Sequence, residues 1–386
     1  ILGYGFPESS LAAGLAHKPH FIGVDGGSTD PGAFYLGSGE CLNSRKAMKR
    51  DLRLMLMAGV RGKIPVVIGT CGGAGAEPHL EAVATLAREV AREEGLKFRM
   101  ALIHSDQSPR DVQSWLNDGR ITALRNVPEL TAATVQRSSR IVGMMGAEPF
   151  MKALGEGAQV VLAARASDAA SWAGCAMSRG MPPAPSWYAG KMLECGTASA
   201  TPKGHDSLIA TVRADHLDLE PMNPARRCTP LSVATHGLHE NASPTIHEEP
   251  GGLLDATHCE FTAVSDRVVR VSGMQWRTRD YDVKLEGAEF IGFRAITICG
   301  TRDPILISQI DSYLQSVKDD VQSRAAGFGV SPEKYNLVFH VYGKDALAAL
   351  ALTASLYHSL NHAFFKSLLF IGTGSILHAT GERNMG

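Results

Sequence analysis

The chain has 386 residues, 44% hydrophobic and 20% charged, with a formal net charge of −1. That length exceeds one ordinary core and predicts two domains, while the neutral balance and the lack of a basic run argue against nucleic acid as a partner. No run of about 18 uninterrupted apolar residues predicts a membrane span, and no basic region followed by an apolar run predicts a signal peptide.

Ile1-Leu2-Gly3-Tyr4-Gly5 reads as the end of a strand and a turn. Two apolar, β-like runs follow, Phe21-Ile22-Gly23-Val24 and Ile64-Pro65-Val66-Val67-Ile68, and each opens into a glycine-rich loop. The first loop carries Asp25, Gly26, Gly27, Ser28 and Asp30; the second carries Gly72, Gly73, Gly75, Glu77 and His79. Apolar spacing predicts helices over 45–60 and 78–94, then a strand over 98–103 that ends at His104 and Asp106. A helix is expected over 109–117, another over 147–154, a strand over 158–164 and a helix over 169–177. Arg165 and Asp168 stand at that last strand-to-helix junction. The rhythm predicts an α/β domain over 1–200 with a mostly parallel, doubly wound sheet. Ligands in such sheets bind at the carboxyl ends of the strands, where these four loops should meet.

Beyond residue 200 the texture changes. Short strands are expected over 208–212, 259–264, 267–271, 281–285 and 287–299, the second and third forming a hairpin. A long helix over 303–325, a strand over 335–342 and a helix from 345 onward complete an α+β domain over 201–386, expected to complete the site. The seven cysteines form no CxxC pair and read as thiols of a reduced, cytoplasmic protein.

Clustered glycines after a strand can present backbone N–H groups to an anion, or they can simply make tight turns. Neither GxGxxG nor a lysine-bearing phosphate loop is present, so no nucleotide motif is met. Asp25, Asp30, His79, His104 and Asp106 are the candidate acids and bases; the alternatives are turn or capping roles for Asp25 and Asp30, capping or local packing for His79, and metal binding for the His104–Asp106 pair. Arg165 could grip a carboxylate, and Asp168 could cap the following helix. Arg227 could hold an anion, and Lys284 with Glu286, two apart on a strand, could move a proton or form an ion pair. Cys195 reads as a structural thiol, and His236 with His239 as packing or capping residues. A divalent metal is an open alternative, although an HxD pair alone is a weak ligand signature.

Several stretches resemble the acyclic terpene utilisation protein AtuA family. They include Val24-Asp25-Gly26-Gly27-Ser28-Thr29-Asp30-Pro31-Gly32, Gly72-Gly73-Ala74-Gly75-Ala76-Glu77-Pro78-His79 and Arg165-Ala166-Ser167-Asp168. Glu194-Cys195-Gly196, Asn223-Pro224-Ala225-Arg226-Arg227-Cys228, Glu249-Pro250-Gly251-Gly252 and Val283-Lys284-Leu285-Glu286 extend the likeness. The resemblance implies metabolism of branched carboxylates or their coenzyme A thioesters, with a hydratase or lyase as the expected reaction. It also implies a small ferredoxin-like domain or partner subunit, before which this chain is expected to end. It supplies no catalytic residues.

The expected substrate is a small carboxylate or acyl-CoA. Gly26, Gly27, Ser28, Gly72, Gly73, Gly75, Arg165, Asp168, Arg227, Lys284 and Glu286 are the expected binding residues, and a homo-oligomer is the expected assembly. A metal-dependent hydrolase and a non-catalytic coenzyme A-binding subunit are the alternatives.

Overall fold

The computed structural model describes residues 1–28, 31–125, 127–238 and 243–343. The chain divides into two compact units, Ile1–Ile291 and Gly292–Gly386. In the first, α1 (Glu8–Ala16) precedes β1 (Ile22–Asp25), and α2 (Ala33–Ser38) with α3 (Arg45–Gly62) leads to β2 (Val66–Gly69). Then come α4 (Glu77–Glu93), β3 (Met100–Ile103), α5 (Pro109–Asn117), α6 (Ala132–Arg137) and β4 (Ser138–Gly143). The helix α7 (Glu148–Gly155), β5 (Val160–Ala163), α8 (Ala170–Met177) and α9 (Pro183–Leu193) follow.

Strands β1, β2, β5 and β3 lie side by side in that order, and every pairing is parallel. Alternation along the strands sends successive residues to opposite faces. Val66, Ile68, Val160 and Leu162 pack with Leu52 and Leu56 of α3 and Leu80, Val83 and Val90 of α4. Val67, Val161 and Ala163 pack on the other face with Phe150 of α7, Ala170 and Ala173 of α8 and Trp187 of α9. Helices therefore cover both faces, and the doubly wound α/β reading holds.

The rest of this unit is mainly antiparallel. It contains β6 (Ala200–Thr201), β7 (Leu208–Val212), β8 (His216–Pro221), β9 (Arg227–Cys228), α10 (Pro230–Gly237), β10 (Ile246–Glu249) and β11 (Gly252–Asp255). The remaining strands are β12 (Glu260–Ala263), β13 (Val269–Ser272), β14 (Gln275–Thr278) and β15 (Leu285–Glu289). One sheet runs β10-β11-β14 and another β12-β13-β8-β7. The expected hairpin is the antiparallel β12–β13 pair.

Two expectations fail here. Residues 281–284 are not strand, and of 287–299 only the first three belong to β15, which pairs antiparallel with β4. Apolar alternation does not make a strand where no ladder partner is available. Tyr281 is instead held by its hydroxyl, which accepts a hydrogen bond from the Gly146 N–H at 3.1 Å.

In the second unit the long helix is divided at Gln309 into α11 (Pro304–Ser308) and α12 (Ile310–Gly327). Residues 335–342 have no regular structure where a strand was expected. The alternation there likewise finds no partner strand among the described residues. The helix expected from 345 onward lies outside the described residues, as do Asp30 and His239.

Candidate active site

The carboxyl ends of β1, β2, β5 and β3 bring together the loops that follow Asp25, Gly69, Ala163 and Ile103. The two glycine loops pack on each other. A Cβ on Gly26 would sit 2.5 Å from the carbonyl oxygens of Gly69 and Thr70, and one on Gly27 would sit 2.6 Å from the Cα of Gly73. Gly75, at φ +67°, passes so close to the Arg165 backbone that a Cβ would lie 2.4 Å from its nitrogen. Many of the loop N–H groups bond within the fold. Gly26 donates to the Gly69 carbonyl, Gly27 to the Asp25 carboxylate, Gly73 to Thr70 and Gly75 to Cys71. These glycines therefore serve close backbone packing, with those N–H groups already committed. Ser28 is buried at the end of the first loop.

Thr70 follows β2 at φ +46°, a conformation costly for a β-branched residue. Its hydroxyl donates to the Ala166 carbonyl at 3.1 Å and accepts from the Ala166 N–H at 3.2 Å, which fixes the turn after β5. Strain held this way clusters at functional sites.

Arg165 is the hub of the edge. It is 3% exposed. Its Nε and Nη2 meet both oxygens of Glu286, at 2.7 and 3.2 Å, and its Nη1 donates to Asp168 at 3.0 Å and to the Ala166 carbonyl. Lys284 reaches the same Glu286 at 2.7 Å. Burial opposes the charge on Arg165, but Glu286 and Asp168 outweigh it and hold the guanidinium protonated. Burial likewise opposes ionisation of Glu286, and Arg165 and Lys284 carry its carboxyl below the usual range. Arg165, Asp168, Lys284 and Glu286 thus meet as one ionic network.

Around that network stand carboxyls pushed the other way. Burial and the nearby Asp168 hold the Asp25 carboxyl well above its ordinary value. Burial raises Glu249 to about 7, against the Ser167 hydroxyl that donates to it. Burial raises Glu194 to about 8, against the Lys191 ammonium 2.6 Å away. Lys191 and Glu194 lie three apart at the end of α9, an otherwise apolar helix. Trp187, one turn before Lys191, stacks on Trp276 of β14 with centroids 5.5 Å apart and planes 4° from parallel. His247 and Glu249 alternate along β10, and the Lys191 charge acts on both. Glu194, Glu249, Lys191 and His247 were not among the expected site residues. The available signals were a lone Lys–Glu pair ending an apolar helix and the His-x-Glu alternation in Ile246-His247-Glu248-Glu249.

The other expected residues occupy different surroundings. His79 is buried; its Nδ1 accepts from the Ala76 N–H at 3.1 Å and its Nε2 donates to the Glu40 carbonyl at 2.9 Å. It caps α4, and burial lowers its basicity. Asp106 accepts from the Glu77 N–H at 2.7 Å, an acceptor for the same helix end. His104 pairs with Glu77 at 2.6 Å on the exposed rim. Arg227 is exposed and lines a surface cleft of ≈ 400 Å³ with Arg226, Arg267 and Pro202. Among the described residues no three His, Cys, Asp or Glu side chains converge as metal ligands, and no helix is long and apolar enough to cross a membrane.

The chain is also similar, over short stretches, to subunits of larger proteins. It is 55% identical over 42 residues to formate hydrogenlyase subunit 3 of Escherichia coli, covering 11% of this chain and 7% of that protein. It is 50% identical over 40 residues to F(420)H(2) dehydrogenase subunit L of Methanosarcina mazei, covering 10% and 6% respectively. It is 44% identical over 48 residues to Na(+)/H(+) antiporter subunit A1 of Staphylococcus aureus, covering 12% and 6%. The chain thus spans under a tenth of the length of these curated relatives. No solved structure matches it. Residues 45–203, which supply three of the four parallel strands together with Thr70, Arg165, Asp168, Lys191 and Glu194, match the acyclic terpene utilisation family protein AtuA.

Proposed function

We propose that the carboxyl edge of the parallel sheet is the active site of an acid–base enzyme of carboxylate catabolism. Its substrate is a branched small carboxylate or the coenzyme A thioester of one, and its reaction is a hydration or the reverse elimination. The carrying observation is the grouping of two glutamates around one ammonium, Lys191 lying 2.6 Å from Glu194 and acting also on Glu249, whose carboxylate accepts from Ser167; desolvation raises Glu249 to about 7 and Glu194 to about 8. A hydro-lyase needs one group that takes a proton and one that gives it, and carboxyls tuned toward the working pH do this best. The AtuA family's link to acyclic terpene utilisation supports the substrate class.

In the elimination direction Glu249, ionised, takes the proton α to the carbonyl. The C–H electron pair moves toward the carbonyl and then expels the β-hydroxyl, which leaves as water with the proton of Glu194. Hydration runs the same transfers in reverse. Asp25, whose carboxyl burial and the nearby Asp168 hold above its ordinary range, is a further carboxyl at this edge. Arg165 positions Asp168 and Glu286 rather than gripping substrate, because its guanidinium is already committed to them. Arg227, with its exposed guanidinium, is the proposed contact for a distal anionic group.

The test is hydration of 3-methylcrotonyl-CoA, followed by loss of the enoyl absorbance. Glu249→Gln and Glu194→Gln should each lower kcat by about 100-fold or more with the fold intact. Unchanged turnover in both variants would refute the assignment.

A further inference from the structure

We propose that His247 binds the carbonyl oxygen of the substrate, an assignment that rests on the acid–base reading above. His247 is 5% exposed, and neither of its ring nitrogens has a hydrogen-bond partner among the described residues. Buried polar atoms are almost always paired, so an orphaned imidazole is costly to keep unless something else pairs with it.

The register of the β10-β11-β14 sheet shows where the ring stands. His247 lies opposite Leu254, and Leu254 opposite Trp276. Residues directly opposite one another share a face of the sheet. His247, Leu254 and Trp276 therefore form one row, and Trp276 stacks on Trp187 of α9. That row faces α9, the helix that carries Lys191 and ends at Glu194. Glu249 is two residues along β10 from His247 and so lies on the same face. Its cross-strand partner is Gly252, where a Cβ would lie 2.3 Å from the Trp276 ring. The glycine keeps the tryptophan close beside the two polar side chains. An apolar wall of Leu254, Trp276 and Trp187 thus borders a row of His, Glu and Lys, which suits a branched acyl chain with a carbonyl at one end.

Burial and the Lys191 charge lower the His247 imidazolium to about 4, so the ring is neutral at pH 7 and offers one N–H donor and one acceptor. A neutral imidazole can polarise a carbonyl without giving up its proton. As Glu249 takes the α-proton, the C–H electron pair forms the C=C bond and the carbonyl oxygen becomes an enolate oxygen. The His247 N–H donates a hydrogen bond to that oxygen, and its proton stays on the ring.

Two variants test this. His247→Leu removes the orphaned nitrogens and should leave Tm equal to or above that of the wild type. The same variant should lower kcat for 3-methylcrotonyl-CoA by about 100-fold, the usual effect of losing one such donor. His247→Gln keeps an N–H donor and should recover about tenfold of that loss. A Tm that drops sharply in His247→Leu with activity lost in proportion would mean a packing role and overturn the proposal. A raised Tm with full activity would also overturn it. If the wild type hydrates no branched enoyl-CoA, the acid–base reading fails, and His247 is then judged by ¹⁵N spectra of its ring with added isovaleryl-CoA. A shifted ring N–H supports the carbonyl contact, and an unmoved one overturns it.

Discussion

Arg165 illustrates what a residue's environment does to its role. A charge at the end of an apolar strand needs partners, and that much is legible in the Arg-x-x-Asp spacing. Its main partner, Glu286, lies 121 residues away, so the sequence leaves the guanidinium open for substrate while the fold closes it. Removing one member of a buried, bonded ion pair strands the other without compensation. Arg165→Ala should therefore cost about 3–5 kcal/mol, measured by urea unfolding. Arg165→Lys should recover only part, because an ammonium cannot reproduce the two-pronged contact with Glu286. His79 and Asp106 have the opposite history. His79 stands in the second glycine loop and Asp106 just past the end of β3, and both look poised for proton transfer. Their hydrogen bonds instead satisfy the N–H groups at the start of α4, a capping role that the sequence leaves open for His79 but not for Asp106.

Helices α3, α4, α5 and α7 were legible because each has a clear apolar period, and α8 with the four parallel strands because short apolar runs there are bounded by turn residues. Ser44 caps α3 by accepting from the Ala47 N–H, and Ser108 caps α5 by accepting from the Asp111 N–H. Helix α9 and the β10-β11-β14 sheet were not legible. The helix is apolar on most sides, so it has little periodicity, and the strands read Ile-His-Glu-Glu, Gly-Leu-Leu-Asp and Gln-Trp-Arg-Thr, too polar to stand out as apolar runs. That loss matters, since these elements supply Lys191, Glu194, His247 and Glu249. Their junction depends on the Trp187–Trp276 stack, and Trp187 is 1% exposed. Trp187→Ala should cost about 3–5 kcal/mol by thermal unfolding. It should lower turnover more than Ala substitutions of equal cost on the α3 side of the sheet.

At the scale of the whole molecule, the site imposes a pH dependence on stability. Glu249 and Glu194 rise from the ordinary 4.5 to about 7 and about 8 on folding, so the native state holds their protons more tightly than the unfolded chain. Their contribution is fully present below 4.5 and is lost as pH rises through about 8. His247 falls from 6.5 to about 4, so its contribution is present above 6.5 and lost as pH falls toward about 4. Tm should therefore decline from pH 6 to 8, and Glu249→Gln should flatten that decline; an equal slope in the variant would contradict the burial of this carboxyl. The same protons that destabilise the fold when removed are those the reaction needs.

The most direct measurement is the pH dependence of kcat/KM for 3-methylcrotonyl-CoA in the wild type and Glu249→Gln. Written for elimination, the base Glu249 must be ionised and the acid Glu194 protonated, and microscopic reversibility requires the same pair, with roles exchanged, for hydration. The wild-type profile should be a bell with limbs near the values of Glu249 and Glu194, about 7 and about 8. Glu249→Gln should lose about 100-fold or more in rate together with the limb near 7. A variant that keeps both the rate and the shape of the wild-type profile would contradict the site.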